Sequence, residues 1–314
     1  MLKRTVTAIL FSVLSTSAMA DYPDKPIEII VGYSAGGGTD VLARTLAKHL
    51  QQELGDDASI VIKNQPGAGG QIGFTSVAAA KPDGYTLGTF NLPAALALTY
   101  DRHAAYNTES FDYLANVVHD PNTIVVSQDS PYKTLDELLQ AARENSSGLS
   151  VGLSSLGGND HFSALLMEDA ADVHFNLIPF EGASMARTAL LGGHVAAGTM
   201  ALSQTIGFED ELRVLAVLDD KRSSLARNIP TAKEQGYDVE MGSYRGFVAP
   251  ADLPTDIKSK LMTAFSRLSE NPDFRQELAK QGNLPDITTG DEYQQLATEQ
   301  SDIAKALWES HAWK

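Results

Sequence analysis

Ile29-Ile30-Val31-Gly32-Tyr33-Ser34-Ala35-Gly36-Gly37-Gly38-Thr39-Asp40 is the stretch that decides how this chain folds. An apolar run ends in four glycines within seven residues, and an amphipathic helical pattern begins at once. Leu42, Leu46, Leu50 and Leu54 recur every fourth residue beside Val41, which gives that helix one apolar face. Thr39 or Asp40 is the expected N-cap and Gly55 the expected stop. Strand, glycine turn and helix N-terminus together make an anion site, because free backbone N–H groups and the positive end of the helix dipole face outward.

Several chemistries fit this turn. A phosphate loop, G-x-x-x-x-G-K-[ST], would span Gly32 to Thr39, but Gly38 stands where the lysine belongs, which weakens a nucleotide reading. Gly32-Tyr33-Ser34-Ala35-Gly36 matches G-x-S-x-G, the nucleophile elbow of a secreted serine esterase. A third possibility is a receptor loop that holds a carboxylate without reacting, and a fourth is a turn that binds nothing. A nucleophilic Ser34 needs a base and an orienting acid. His49, His103, His119, His161, His174, His194 and His311 are available, but none sits in a recognisable motif. An elbow also follows earlier strands, whereas Ser34 comes close to the mature start. Ser34 is therefore expected to donate a hydrogen bond to ligand.

Residues 1–20 read as a cleaved secretory signal: Lys3 and Arg4, the apolar run Val6 to Leu14, then Ala18-Met19-Ala20 before Asp21. The run is too short to span a bilayer, so an exported, periplasmic chain is expected. There is no cysteine, which removes disulfides, a lipid anchor on cysteine and thiolate metal sites. The histidines show no metal-ligand spacing, and neither a metal nor a cofactor is expected. A formal net charge of −16, two units lower without Lys3 and Arg4, argues against nucleic-acid or anionic-membrane partners. Such a surface still permits a carboxylate site. Charges are screened within about 8 Å at physiological salt, while backbone dipoles act locally.

Along the chain, Ile27 to Val31 reads as a strand, Ser59 to Lys63 as a second and Tyr85 to Phe90 as a third, with helices between them. That is β-α-β-α-β spacing. Gly67-x-Gly69 lacks the sixth-position glycine of a dinucleotide fingerprint, since Ile72 stands there, and reads as a turn. A second block begins at the strand Asn122 to Ser127. Thr134-x-x-Glu137 is a capping box. Strands follow at Leu149 to Ser154, Phe175 to Phe180 and Leu212 to Leu218, the first two ending in Gly/Ser-rich turns. From Tyr244 to Pro250 the chain returns to a strand, followed by helices after Pro254 and from Gly290 to about Trp308. Two αβ blocks with such turns imply a cleft between them.

Seven short motifs in order resemble, nearly end to end, the Bug family, the solute-binding receptors of tripartite tricarboxylate transporters. They are Tyr22-Pro23-x-Lys25-Pro26-Ile27, Gly36-Gly37-x-Thr39-Asp40, Asn64-x-Pro66-Gly67-Ala68-Gly69-Gly70-x-Ile72-Gly73 and Pro82-Asp83-Gly84-Tyr85-Thr86-Leu87. Pro179-Phe180-x-Gly182, Ile229-Pro230-Thr231 and Gly246-Phe247-x-Ala249-Pro250 complete the set. The resemblance implies a two-lobed α/β clamshell like a periplasmic binding protein, each lobe a mainly parallel sheet covered by helices. Lobe 1 would comprise residues 21–123 and 245–314, and lobe 2 residues 124–244. It implies a non-enzymatic, monomeric receptor that delivers a small carboxylate (di-, tricarboxylate or aromatic) to membrane permease subunits.

The turn holding Tyr33, Ser34, Gly37, Gly38, Thr39 and Asp40 would then grip one carboxylate, with Asn91 beside it. Ser154, Ser155, Gly158, Asn159 and His161 would approach from the other lobe, with Phe180, Gly182, Ala183 and Ser184. Arg245 suits a carboxylate bidentately with Tyr244 packing on the ligand body, although an arginine pairing with an acidic neighbour is an equal expectation. His161 is equally suited to capping its own helix. Three departures stand out: Gly32-Tyr33 where the family has Pro-Phe, Glu181 for a common lysine, and Met200 for a frequent aspartate. The last argues against an amino-acid ligand and hints at an apolar ligand body. Trp308 and Trp313 are expected as lobe-1 packing and a frayed terminus.

Overall fold

The computed structural model describes residues 22–55, 58–102, 104–180 and 182–313. The expected signal segment and Glu181 lie outside the described residues. The first block runs β1 (Ile27–Val31), α1 (Gly38–Leu54), β2 (Ile60–Asn64), α2 (Gln71–Ala78), β3 (Thr86–Leu92) and α3 (Ala94–Asp101). A 17-residue strand, β4 (Phe111–Ser127), leads into the second block. That block comprises α4 (Leu135–Glu144), β5 (Leu149–Leu153), α5 (Asn159–Ala171), β6 (Phe175–Pro179), α6 (Ala183–Leu191), β7 (Ala197–Ala201) and β8 (Leu212–Leu218). The chain then returns through β9 (Gly242–Pro250), α7 (Thr255–Glu270), α8 (Pro272–Lys280), β10 (Pro285–Thr289) and α9 (Asp291–His311).

Two sheets share β4. In the first the order is β2-β1-β3-β9-β4-β10, and in the second β8-β4-β7-β5-β6. Residues Phe111 to Pro121 of β4 pair with β9, whereas Asn122 to Ser127 pair with β7 and β8. The change of partner falls at Pro121, a residue that cannot donate to a ladder and so suits the end of one pairing zone. The sheets are mixed rather than mainly parallel. Parallel pairing is confined to β1–β2, β1–β3, β5–β6 and β5–β7, while every pairing of β4 and β9 is antiparallel. The reason is geometric: β4 leaves the first lobe and β9 returns to it, so the two run in opposite directions.

Each sheet buries apolar side chains on both faces. Leu42, Leu46 and Leu50 of α1 pack with Phe265 and Phe274 on one face of the first sheet. Phe74, Phe90, Phe111 and Tyr293 fill the other. Leu135, Leu138 and Leu139 of α4 lie under the second sheet, opened by the expected capping box at Thr134 and Glu137. A further cluster spans the lobes, joining Ala97 of α3, Phe162 and Leu165 of α5, and Ala304 and Leu307 of α9. Trp313 belongs to it. It is buried against Phe162, with ring centroids 5.1 Å apart, and is not a frayed end. At about 25 cal/mol per Å² of apolar area, such a ring is a substantial anchor between lobes.

Candidate functional site

The turn between β1 and α1 is built around a buried carboxylate. Gly37, with extended backbone, takes the N-cap position in place of Thr39 or Asp40. Asp40 then falls at the third helical residue and reaches back. It accepts the Gly36 N–H at 2.8 Å, Arg44 Nε at 2.9 Å and Asn64 Nδ2 at 2.9 Å. The hydrogen bond from the Arg44 guanidinium, helped by the Gly36 and Asn64 donors, holds the Asp40 carboxyl down at about 2. Gly36 has φ +80°, the left-handed region that glycine enters without strain. The N–H groups of Gly38 and Thr39, first in the helix, have no intrahelical acceptor.

The turn between β5 and α5 repeats this construction with other residues. Gly158 is the N-cap and Gly157, at φ +72°, matches Gly36. His161 takes the place of Asp40: its Nδ1 accepts the Gly157 N–H at 3.1 Å. An accepting nitrogen must be unprotonated, and burial, then the nearby His311, lowers the His161 pKa to about 4. Asp160 accepts from Asn122 and Asn159 at 2.9 Å each and from the Ser154 N–H at 3.2 Å. It has no cationic partner among the described residues, and burial pushes its pKa up.

The two helix starts face one cavity of about 260 Å³. Tyr33, Gly38, Thr39, Asn91, Leu92 and Ala94 line it from one side, Asn159 and Gln204 from the other, and Ser243 and Arg245 of β9 from the floor. Among the described lining residues Arg245 is the one charged side chain. Its Nη1 donates to Asn283 Oδ1 at 3.0 Å and its Nη2 to Asp120 Oδ2 at 3.4 Å. Two of the five guanidinium N–H groups are thereby engaged. Asp120 also accepts the Ser203 N–H at 3.1 Å and the Ser203 hydroxyl at 2.6 Å. One buried carboxylate therefore fastens Arg245 of the first sheet and the Leu202–Gln204 turn of the second to a common point. A larger, open hollow of about 630 Å³ lies behind α5, between Glu168, His174 and His311, with His161 in its wall.

Of the residues singled out in the sequence, the cavity gathers Tyr33, Gly38, Thr39, Asn91, Asn159 and Arg245. Ser34 and Gly37 are exposed in the same turn, and the Ser34 hydroxyl bonds to no histidine among the described residues. Ser154, Ser155 and Gly158 form the opposite turn. Gly182, Ala183 and Ser184 open α6, with the Gly182 N–H tied to the Ser154 carbonyl at 3.0 Å. Asp40 and His161 face inward and hold their own loops. Met200 is fully buried with Val125 and Leu190, so it is core filler rather than ligand wall. Phe180 covers Gly152.

Tyr244 stacks on His119, centroids 4.4 Å apart and planes 5° apart. It lies outside the lining that holds Arg245, as the alternation of neighbours along β9 favours. That alternation was available from the sequence and would have selected Ser243 instead. Leu92 is the last residue of β3, Ala94 and Gln204 come after strand ends, and no motif marked Gln204.

A cleft between two α/β sheets, floored by an arginine and flanked by paired helix starts, defines the class of two-lobed solute-binding proteins. The chain belongs to the tripartite tricarboxylate transporter receptor family, whose model matches residues 42–312. It is 33% identical over 309 residues to the UPF0065 protein in the gbd 5'region of Cupriavidus necator, covering 96% of this chain and 92% of that one. Among solved structures it resembles a TctC solute-binding protein from Polaromonas, with TM-score 0.80, 31% identity and coverage of 92% and 99%. It also resembles R. palustris Rpa4515 with adipate, with TM-score 0.78, 25% identity and coverage of 92% and 98%. Members of this family are receptors for solutes. No helix among the described residues is long and apolar enough to cross a membrane.

Proposed function

We propose that this protein is a periplasmic, monomeric carboxylate receptor that captures its ligand between the lobes and hands it to the permease subunits of a tripartite transporter. The observation that carries this reading is the convergence of the α1 start, Asn159 of α5 and Arg245 on one cavity. Free N–H groups at both helix starts and the unengaged guanidinium donors are complementary to a carboxylate. The adipate in a structural neighbour supports the same ligand class. Residues 1–20 would direct export and then be removed, and the ligand would leave unchanged, with neither cofactor nor catalysis. The lobes would divide where β4 changes partners, near Pro121 and Asn122, and again near Gly242. A ligand that touches Gly38 and Arg245 on one side and Asn159 and Gln204 on the other binds the closed form more tightly, which shifts the population toward closure.

The test is a melting screen of residues 21–314 against carboxylic acids and their matched primary amides. A ligand at 100 times its Kd adds about 2.7 kcal/mol, several degrees at roughly 2–4 °C per kcal/mol for a protein this size. The expected result is a shift with an acid and none with its amide. Equal shifts with both, or ester turnover abolished by Ser34→Ala, would overturn the reading.

A further inference from the structure

We propose that Asn122 is a positioning residue for the second-lobe half of the site: without touching the ligand, it fixes the start of α5 to the strand that passes between the lobes. This rests on the carboxylate reading above and adds to it the group that aims the Asn159 side of the cavity.

Asn122 is fully buried at the point where β4 changes partners. Its backbone N–H donates to the Met241 carbonyl at 2.8 Å, next to the start of β9, so the residue is held where both connecting strands pass between lobes. Its side chain reaches α5 with both ends. Oδ1 accepts from Asn159 Nδ2 at 2.7 Å, and Nδ2 donates to Asp160 Oδ1 at 2.9 Å. Asn159 Nδ2 also donates to Asp160 Oδ1, at 2.9 Å, which closes a ring of three hydrogen bonds. An ionised carboxylate only accepts, so Asp160 dictates that both amides turn their nitrogens toward it. The ring therefore has one arrangement.

That arrangement matters because Asn159 is the first residue of α5, and its backbone N–H has no intrahelical acceptor. The ring fixes the residue that carries this donor on the cavity wall. Asp160 is held at its other end too, since Thr199 Oγ1 of β7 donates to its carbonyl at 2.8 Å.

The first lobe uses the same pairing on a different kind of strand. Asn64 of β2 donates to Asp40 of α1 at 2.9 Å, as Asn122 of β4 does to Asp160 of α5. β2 is the edge of the first sheet, whereas β4 pairs in both sheets. The first turn is thus fastened within its own lobe and the second to the connection between lobes. Asp120, two residues before Asn122 and so on the same face of β4, holds Arg245 and Ser203 in the same way. One face of this strand sets the floor of the cavity and its second wall together.

Calorimetric titration of Asn122→Ala with succinate, adipate, citrate and benzoate, each beside its amide, tests this. The acid that binds the parent is expected to bind the variant about tenfold more weakly, the effect of cutting buried hydrogen bonds. In an Asn159→Ala background, where the tether is already cut, adding Asn122→Ala should change affinity by less than about threefold, because residues acting through one another are not additive. Asn122→Ser, which keeps a hydroxyl on the strand but is too short to bridge both partners, carries the same expectation if the alanine variant does not fold. A lower melt with unchanged affinity would make Asn122 a structural residue only and overturn the inference. An equal loss of affinity with and without Asn159 would overturn it as well, while the carboxylate reading stood in both cases. If no acid outbinds its amide in the parent, the carboxylate reading itself fails and this inference falls with it.

Discussion

Asp40, His161 and Arg245 show how a charge is used differently at three points of one cleft. Asp40 is buried and its pKa is lowered to about 2, chiefly by the hydrogen bond from Arg44. A depressed carboxyl stabilises the fold above its unfolded pKa of about 4, and that contribution disappears as pH falls through the folded value. Asp40→Asn should lower stability by about 1–3 kcal/mol at neutral pH, the range for an unmatched buried partner. The difference from the parent should narrow in acid, and melts across pH 2 to 7 check both points. His161 works through the neutral form. Its pKa of about 4 in the fold, below the unfolded value of about 6.5, means stability is complete above pH 6.5 and is lost as pH falls toward 4. His161→Gln should flatten that part of the pH–stability curve, and an unchanged curve would contradict the assignment of Nδ1 as acceptor.

Arg245 has a structural partner in Asp120 and, in the proposed function, a ligand carboxylate as well. Arg245→Gln should weaken carboxylate binding by about 10–100-fold, the worth of a charge-assisted contact. It should also lower the melt, because Asp120 is left buried and unpaired. Adding Asp120→Asn should restore the melt but not the affinity. If affinity returned with the melt, Arg245 would be a hinge residue and nothing more.

At the scale of elements, the glycine turns depend on what packs behind them. A Cβ on Gly73 of α2 would come within 2.6 Å of the Gly32 Cα, backbone against backbone. Gly73→Ala should cost about 1–3 kcal/mol, as overpacking does, and should weaken ligand binding by displacing the turn from Tyr33 to Thr39. An unchanged titration would show that α2 does not set the position of that turn. The elements legible in the sequence were those with period and punctuation: β1, α1, β2, β3, α4, β5, β6, β8, β9, α7 and α9 each pair an apolar pattern with a turn or cap. α3 was not legible, since Ala94-Ala95-Leu96-Ala97-Leu98 is apolar all round and has no polar cap. The first half of β4 was missed because Pro121 reads as a break, whereas it marks a change of partner within one strand. Both site turns were located correctly as strand-to-helix junctions. Which residues in them face the cavity was not readable, because Asp40 and His161 turn inward through tertiary bonds to Asn64 and to their own loops.

For the whole molecule, β4 and β9 are the strands that pass between lobes, and the cavity sits beside their crossing. The seam around Trp313 ties α9 of the first lobe to α5 of the second at the back. Trp313→Ala should cost on the order of 3 kcal/mol, visible as a lower melt of the ligand-free protein. The central claim, that the lobes close on a carboxylate, is tested most directly by small-angle X-ray scattering of residues 21–314. The radius of gyration should fall when a binding acid is added and stay unchanged with its amide. An acid that binds tightly with no change in the radius of gyration would contradict closure on the carboxylate.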